Sequence, residues 1–401
     1  MNILLVIDDY LPESTRVGPK MLHELAIELT RQGHDVTVLA PGVWGQGATC
    51  RELVMDGVRV LRFRSPPVKD IHKVLRALSE SALSFFAWLA LRRKVHEASF
   101  DLVVCYSPSI FFGFFIGWLK KKLACKTYLV LRDLFPQWAI DEGMIRERSL
   151  IAHYFRFFER KNYQVADSIG LMSIANKTFF DDLWPRLAAK THVLPNWASA
   201  DVDVQQEIEV PFRSRLNLQG KVIYLYGGNI GHAQDMVNLM RLAEAMQSYS
   251  QAHFLFVGQG DEVGLIQDYM REKRLSNCTY LPSISQQAFK VLLQEVDVGL
   301  FSLAYGHRTH NFPGKLLGYM ANAIPILGSV NPGNDLMPVV NASGAGFVYL
   351  NGEDDKLAQA AKLFLLDTAV RRRMGDNARI LLDQNFSVSA ATLRITSLLP
   401  S

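Results

Sequence analysis

A chain of 401 residues, 49% hydrophobic and 20% charged, is long enough for two sizeable domains and has the composition of a folded protein, which excludes a disordered one. A formal net charge of +4 is too mild for nucleic-acid binding, although clustered charge can still act at an anionic surface. The four cysteines, Cys50, Cys105, Cys125 and Cys278, form no CxxC pair and read as reduced, buried thiols of a cytosolic protein.

Met1–Ile7 runs into Asp8 and Asp9 with no basic start and no cleavage site, so it reads as a first strand and not as a signal peptide. Ser14 or Thr15 then caps a helix that runs to Gln32, and Gly33 stops it. Strands follow at His34–Ala40, Val58–Phe63, Leu102–Cys105, Thr127–Leu131, Ser168–Met172 and His192–Leu194, with helices between them. The longest apolar run, Ile110–Leu119, is too short to span a bilayer. The rhythm pauses near 196–212 and resumes with strands at Lys221–Tyr226, Phe254–Val257, Thr279–Leu281, Val298–Phe301, Ile324–Leu327 and Phe347–Tyr349. Val388–Leu399 reads as a helix with no strand after it.

This alternation predicts an α/β protein of two doubly wound domains, 1–198 and 199–386, with 387–401 packing back toward the first. Ligands of such sheets bind outside the carboxyl ends of the strands, so two facing sheets predict a site in a cleft between domains. The loops after strands therefore hold the candidate chemistry. Gly227–Gly231, with a helix expected from His232, reads either as a phosphate loop or as a tight strand-to-helix turn. Gly258–Glu262 either cradles a nucleotide or turns the chain, and Pro282–Ser285 either offers backbone groups to a base edge or caps a helix at Ser283 or Ser285. Pro313 suits a helix opening, and the free N–H groups at 313–315 with the Lys315 ammonium suit an anion; an ordinary capped helix with a solvated lysine is the alternative.

The series Gly228-Asn-Ile-Gly-His-Ala-Gln234, Val257-Gly-Gln-Gly260, Val296-Asp-Val-Gly-Leu-Phe-Ser302 and Phe312-Pro-Gly-Lys-Leu-Leu-Gly-Tyr-Met-Ala-Asn-Ala-Ile-Pro-Ile326 resembles the C-terminal domain of glycosyltransferase family 4. Gly18, Arg31-Gln-Gly-His-Asp-Val-Thr-Val38 and Leu194-Pro-Asn196 agree in the first half. Asp8-Asp-Tyr-Leu-Pro-Glu-Ser-Thr-Arg-Val-Gly18 and Leu131-Arg-Asp-Leu-Phe-Pro-Gln-Trp138 are most similar to the L-fucosamine transferases of O-antigen assembly. The resemblance implies a GT-B fold and retaining transfer from a UDP-sugar without a metal or other cofactor. It also implies a polyprenyl-diphosphate-linked saccharide acceptor at the inner face of the bacterial cytoplasmic membrane.

Carried onto this sequence, the resemblance implies Asp133 and Lys315 as catalytic residues. It implies Gly228, Asn229, Gly231, Gln234, Gly258, Gly260, Pro282, Ser283, Arg308, Asn311 and Gly314 on the donor side, and Asp9, Arg16, Gly18, Tyr106 and Arg132 on the acceptor side. Asp133 accepts a proton or orients a sugar hydroxyl, or else caps the turn that starts at Leu134. Arg16 pairs with an acceptor phosphate, or is a solvated first-turn residue. Two departures stand out. The family's spaced pair of glutamates falls on His310 and Gly318, so Asn311, His310 or Tyr319 must take over the grip on the donor ribose. The basic pair after the glycine loop is absent, with Gln234 in its place, which leaves Lys315 and Arg308 as the cations for a diphosphate. Asp201-Val-Asp203 is a DxD in the linker and reads as surface, not metal. Two stretches join aromatics to cations, Leu83–Lys94 and Ile110–Lys122; each is either an interfacial helix or a sheet-covering helix with basic ends. The rivals to a transferase are a UDP-sugar epimerase on the same architecture and a non-catalytic partner subunit.

Overall fold

A computed structural model describes the whole chain except residues 15, 46, 69–71, 94–98, 142, 200–209, 307–311 and 398–401. The chain forms two compact units. The N-terminal unit comprises Met1–Pro195 and Val388–Ser401, and the C-terminal unit Asn196–Ser387.

The N-terminal unit is built on eight strands: β1 (Asn2–Val6), β2 (Asp35–Pro41), β3 (Cys50–Met55), β4 (Val58–Phe63), β5 (Leu102–Tyr106), β6 (Lys126–Leu131), β7 (Ser168–Leu171) and β8 (Thr191–Val193). Their order across the sheet is β3-β4-β2-β1-β5-β6-β7-β8. All neighbours pair in parallel except β3 with β4. β1 and β5 are continuous runs of buried apolar residues because helices cover both faces. β3 is an addition to the predicted strands. Asp56 and Gly57 both take positive φ (48° and 80°), which is the two-residue turn that matches the twist of a hairpin. Glu52 and Arg59 then pair across it at 2.7 and 3.1 Å.

The two aromatic and basic stretches serve this core. Helix Leu83–Leu91 buries Leu83, Ala87, Ala90 and Leu91, and helix Gly113–Leu123 buries Phe115, Ile116 and Leu119. Lys120, Lys121 and Lys122 fall in the last turn of the second helix, where cations oppose its dipole. Helix Val388–Thr396 also belongs to this unit and packs on helix Val17–Arg31, with Gln32 Nε2 donating to Thr392 Oγ1 at 2.9 Å.

Among the described residues the C-terminal unit has six parallel strands: β9 (Val222–Asn229), β10 (Ala252–Gln259), β11 (Cys278–Leu281), β12 (Val298–Ser302), β13 (Ile326–Val330) and β14 (Gly346–Leu350). Their order, β11-β10-β9-β12-β13-β14, starts at the centre, runs to one edge and then to the other, so the switch point lies between β9 and β12. Both faces are buried. Ile223 and Leu225 enter one core, and Tyr224 and Tyr226 the other. Each such side chain contributes roughly 1.5–3 kcal/mol when taken out of water.

β9 runs past its predicted end. Gly228 pairs with Gly258 and Asn229 with Gln259, so two segments predicted as loops are extensions of neighbouring strands. Glycine allows the close approach, because a Cβ on Gly258 would collide with the Gly228 carbonyl oxygen.

Candidate active-site surfaces

In the C-terminal unit the carboxyl ends of β9 and β10 and helix Lys315–Ala321 bring Gly228, Gly258 and Lys315 together, with Asn229 and Gln234 joined beside Gly231. The side chain of Lys315 lies over the Tyr226 ring, with Nζ 3.4 Å from its centroid. A Cβ on Gly228 would stand 3.8 Å from that nitrogen. Among the described residues no carboxylate or hydrogen-bond acceptor pairs with Lys315. Burial of the ammonium lowers its pKa well below the usual lysine value. A desolvated cation against an aromatic face and a glycine backbone is suited to a polyphosphate, which restores the missing countercharge. Leu316 and Leu317 N–H bond back to Pro313 and Gly314 carbonyls, which leaves Gly314 and Lys315 N–H without a backbone acceptor among the described residues.

The second helix start differs from its prediction. His232–Gln234 is a short 3₁₀ turn, Asp235 is left-handed at φ 45°, and the α-helix begins at Met236. Glu262 closes that terminus: its Oε2 accepts from Met236 N–H at 3.3 Å, and its Oε1 lies 3.4 Å from His232 Nδ1. The expected opening for phosphate is therefore already met by a carboxylate. Asn229 Nδ2 donates to Gln234 Oε1 at 2.9 Å, which joins two predicted donor residues beside Gly231. Gly260 packs on the Ile230 backbone. Pro282 and Ser283 are exposed, and the cap of helix Gln286–Leu293 is Ser285, whose Oγ accepts from Ala288 N–H at 3.1 Å.

Tyr319 is not a substitute for the missing glutamate. It is fully buried at the switch point, where its hydroxyl lies 3.0 Å from the Leu225 carbonyl and accepts from Gly227 N–H at 3.2 Å. Gly318 leaves open room, since a Cβ there would meet only Leu293 Cδ1 at 3.5 Å. Arg308, His310 and Asn311 lie outside the described residues, as do Asp201 and Asp203. Among the described residues no three His, Cys, Asp or Glu side chains gather as metal ligands would.

In the N-terminal unit the ends of β1, β5 and β6 converge. Gly18 sits where a Cβ would come 3.0 Å from the Tyr106 ring, so the helix start and the end of β5 touch. Tyr106 is hydrogen-bonded to Arg132, whose Nη1 and Nη2 donate to the Leu194 and Pro195 carbonyls at 2.7 and 3.1 Å. Those bonds commit Arg132 to the exit of β8. Ser14 does not cap the helix. Its hydroxyl donates to Asp9 Oδ2 at 2.5 Å, and Arg16 stands at the N-cap with no side-chain cap bond. Asp133 is exposed, but nearby protein displaces enough water to raise its carboxyl above the usual value, while Leu134 N–H counters this.

Asp8 is the residue that the sequence reading undervalued. It follows β1 at the sheet edge, and burial pushes its carboxyl up to about 6. Repulsion from Glu80 and Asp9 adds to the shift, and Arg16 opposes it. The loop that carries Asp8 is fastened from outside. Tyr10 Oη bonds His23 Nδ1 at 2.7 Å, His23 Nε2 bonds Asp56 at 2.8 Å, and Arg62 bonds the Leu11 and Pro41 carbonyls and Glu13. A carboxylate directly after a buried strand was the visible signal; Glu80, from a distant helix, was not.

Residues 19–197 match the glycosyl transferase 4-like domain and residues 209–381 the glycosyl transferases group 1 family. The chain is 25% identical over 347 residues to WcaI of Escherichia coli K12, a protein named for glycosyl transfer in colanic acid biosynthesis; the match covers 80% of this chain and 81% of WcaI. It is 24% identical to WbjE of Pseudomonas aeruginosa, named as a glycosyltransferase, over 96% of this chain and 95% of that one. Among solved structures it is similar to sucrose-phosphate synthase from Thermosynechococcus elongatus (TM-score 0.65, 16% identity, 99% of this chain and 98% of that one). WaaG, a glycosyltransferase involved in lipopolysaccharide biosynthesis, gives 0.62 at 13% over 98% and 99%. Anabaena HepE in complex with UDP and glucose gives 0.62 at 15% over 99% and 98%. At these identities the structures establish the shared two-domain fold.

Proposed function

The chain belongs to the glycosyltransferases, with a 4-like domain followed by a group 1 domain in the GT-B architecture, and on that premise we propose that it transfers N-acetyl-L-fucosamine from a UDP donor to a saccharide on a polyprenyl diphosphate, with retention, in O-antigen or capsule assembly. The observation that carries this reading is the Lys315 ammonium, lodged beside Gly228 over the Tyr226 ring with no acid partner among the described residues. Negative charge grows on the diphosphate as its bond to the sugar breaks, and a fixed, desolvated cation favours that charge more than it favours the intact donor. Gly228, Gly258 and Gly260 keep side chains out of the diphosphate's way. Asp133 orients a sugar hydroxyl, and the acceptor attacks from the face that the diphosphate leaves.

Surface-polysaccharide assembly fits the names of WcaI, for colanic acid, and WaaG, for lipopolysaccharide, and a UDP donor fits the UDP complex of HepE. A lipid-linked acceptor makes the protein peripheral at the inner face of the cytoplasmic membrane. No helix among the described residues is long and apolar enough to cross one.

Calorimetric titration with UDP, GDP and ADP in the presence of chelator tests the donor. Saturable binding selective for UDP is the expected outcome, and no binding of any nucleotide overturns the reading. Incubation of a UDP-sugar without acceptor separates transfer from epimerisation, since only an epimerase converts the donor alone.

A further inference from the structure

One helix of the N-terminal unit carries an apolar stripe on its outward side. Helix Leu150–Val165 opens at Ser149, whose Oγ accepts from Ala152 N–H at 3.2 Å. Its inward side is mixed: Ala152, Glu159, Asn162 and Tyr163 are buried, Phe155 and Phe158 lie against Phe111 with ring centroids 6.3 and 4.9 Å away, and Glu159 accepts from Arg156 at 2.8 Å and from Tyr163 at 3.2 Å. Gly113 makes this seat possible, since a Cβ there would approach Asn162 N to 2.7 Å. The outward side carries Leu150, Ile151, Tyr154 and Phe157, which are 89%, 59%, 38% and 57% exposed. Their spacing of four and three residues places Leu150, Tyr154 and Phe157 on one stripe. Phe114, 43% exposed, extends it, with its ring centroid 5.7 Å from that of Phe157.

Cations surround the stripe. Arg146 and Arg148 precede the helix, Arg160 and Lys161 lie near its end, and Lys121 and Lys122 close the neighbouring helix. Lys161 Nζ lies 5.5 Å from the Phe114 ring centroid. Glu147 is the acid between the two arginines. A soluble helix hydrates a polar outer side; this helix leaves four large apolar or aromatic side chains there.

We infer that this face docks on an anionic lipid surface, with the Leu150–Phe157 stripe at the headgroup boundary and the surrounding cations among the phosphates. The inference rests on the lipid-linked acceptor proposed above and specifies the surface that reaches it. Charge favours a leaflet over a protein partner, because lysine is depleted from protein interfaces while a leaflet presents phosphates around the whole rim. The face is centred on a helix that the sequence did not offer and takes Phe114, Lys121 and Lys122 from one that it did.

Sedimentation of the full chain with vesicles of phosphatidylethanolamine and phosphatidylglycerol, and with vesicles of phosphatidylcholine alone, tests it. The wild type should bind the anionic vesicles at least about tenfold more tightly, and salt should weaken that binding. Leu150→Ser with Phe157→Ser should cost at least about tenfold more, since burial of one such side chain is worth a decade in affinity. Lys121→Glu with Lys122→Glu should flatten the salt dependence. All four residues are outside the nucleotide surface, and an unchanged circular-dichroism melt verifies that the variants fold. Anionic vesicle binding that both pairs of substitutions leave intact overturns this face while the membrane reading stands. No binding to either vesicle overturns both. A wild-type dimer that becomes monomeric in the serine variant, without vesicle binding, assigns the face to a second copy and overturns the inference.

Discussion

The two sheet ends proposed to carry the chemistry are built by opposite means. In the C-terminal unit the surface is made by leaving side chains out: Gly228, Gly258 and Gly260 expose backbone, and one ammonium supplies the charge. In the N-terminal unit it is made of side chains that hold one another, with Asp9 bonded to Ser14, Tyr106 to Arg132, and Tyr10 to His23. Bare backbone with one cation suits what every nucleotide diphosphate shares. A set of fastened carboxylates and guanidinium groups suits a particular arrangement of hydroxyls. Damage to the first should therefore cost fold or catalysis outright, whereas damage to the second should be graded and pH-dependent.

Lys315→Met should break the contrast most severely, with transfer falling by about 10²–10³-fold as the charge facing the diphosphate is lost. Steady-state rates check this, and wild-type rates would remove Lys315 from its role. The same variant should be more stable than wild type at neutral pH. The folded lysine has a lower pKa than the unfolded one, so the unfolded chain binds more protons and stability rises with pH up to the unfolded value of 10.5. For the same reason UDP binding should take up protons, which calorimetry in buffers of different ionisation enthalpy reads directly.

Gly258→Ala should cost about 2–4 kcal/mol in urea unfolding, because the new methyl meets the Gly228 carbonyl and one of two paired strands must move. Tyr319→Phe should cost about 1–2 kcal/mol, since Gly227 N–H loses its buried acceptor. Asp8→Asn sharpens the other side with the smallest effect. The carboxyl titrates near 6 in the folded protein against 3.8 ordinarily, so the folded state holds a proton that the unfolded chain has already released, and stability falls as pH rises through that window. Asparagine escapes this loss. The variant should gain about 1 kcal/mol at pH 7.5, less than the full shift because a buried amide also costs solvation, and nothing at pH 4. Equal melting of both proteins at both pH values would contradict it.

Much of this was legible because strands buried on both faces write themselves as apolar runs, as β1, β5 and β9 do. β3 was hidden because its residues are largely exposed, although Asp56-Gly57 marked its turn. The end of β9 was misplaced because Gly227 and Gly228 punctuate like a loop, while the pairing that extends the strand comes from Gly258 and Gln259. Lys315 could be singled out from its neighbours in sequence, but its desolvation depends on Tyr226, a residue of another element. The stripe on Leu150–Val165 was illegible for a different reason. Helical spacing reveals that a helix has two sides and is silent on which side faces in; here Gly113 and the Glu159 bonds decide it.

The course of the chain through the two units has a consequence for how the protein is made. Everything needed for the C-terminal unit, Asn196–Ser387, leaves the ribosome as one uninterrupted segment, whereas the N-terminal unit begins first and gains its last helix only afterwards, when Val388–Thr396 reaches helix Val17–Arg31. A nascent chain halted at Ser387 therefore holds one unit entire and leaves the older one with an uncovered helix face. A purification tag or fusion partner attached after Thr396 acts on the N-terminal unit, although the sequence places it beside the C-terminal one.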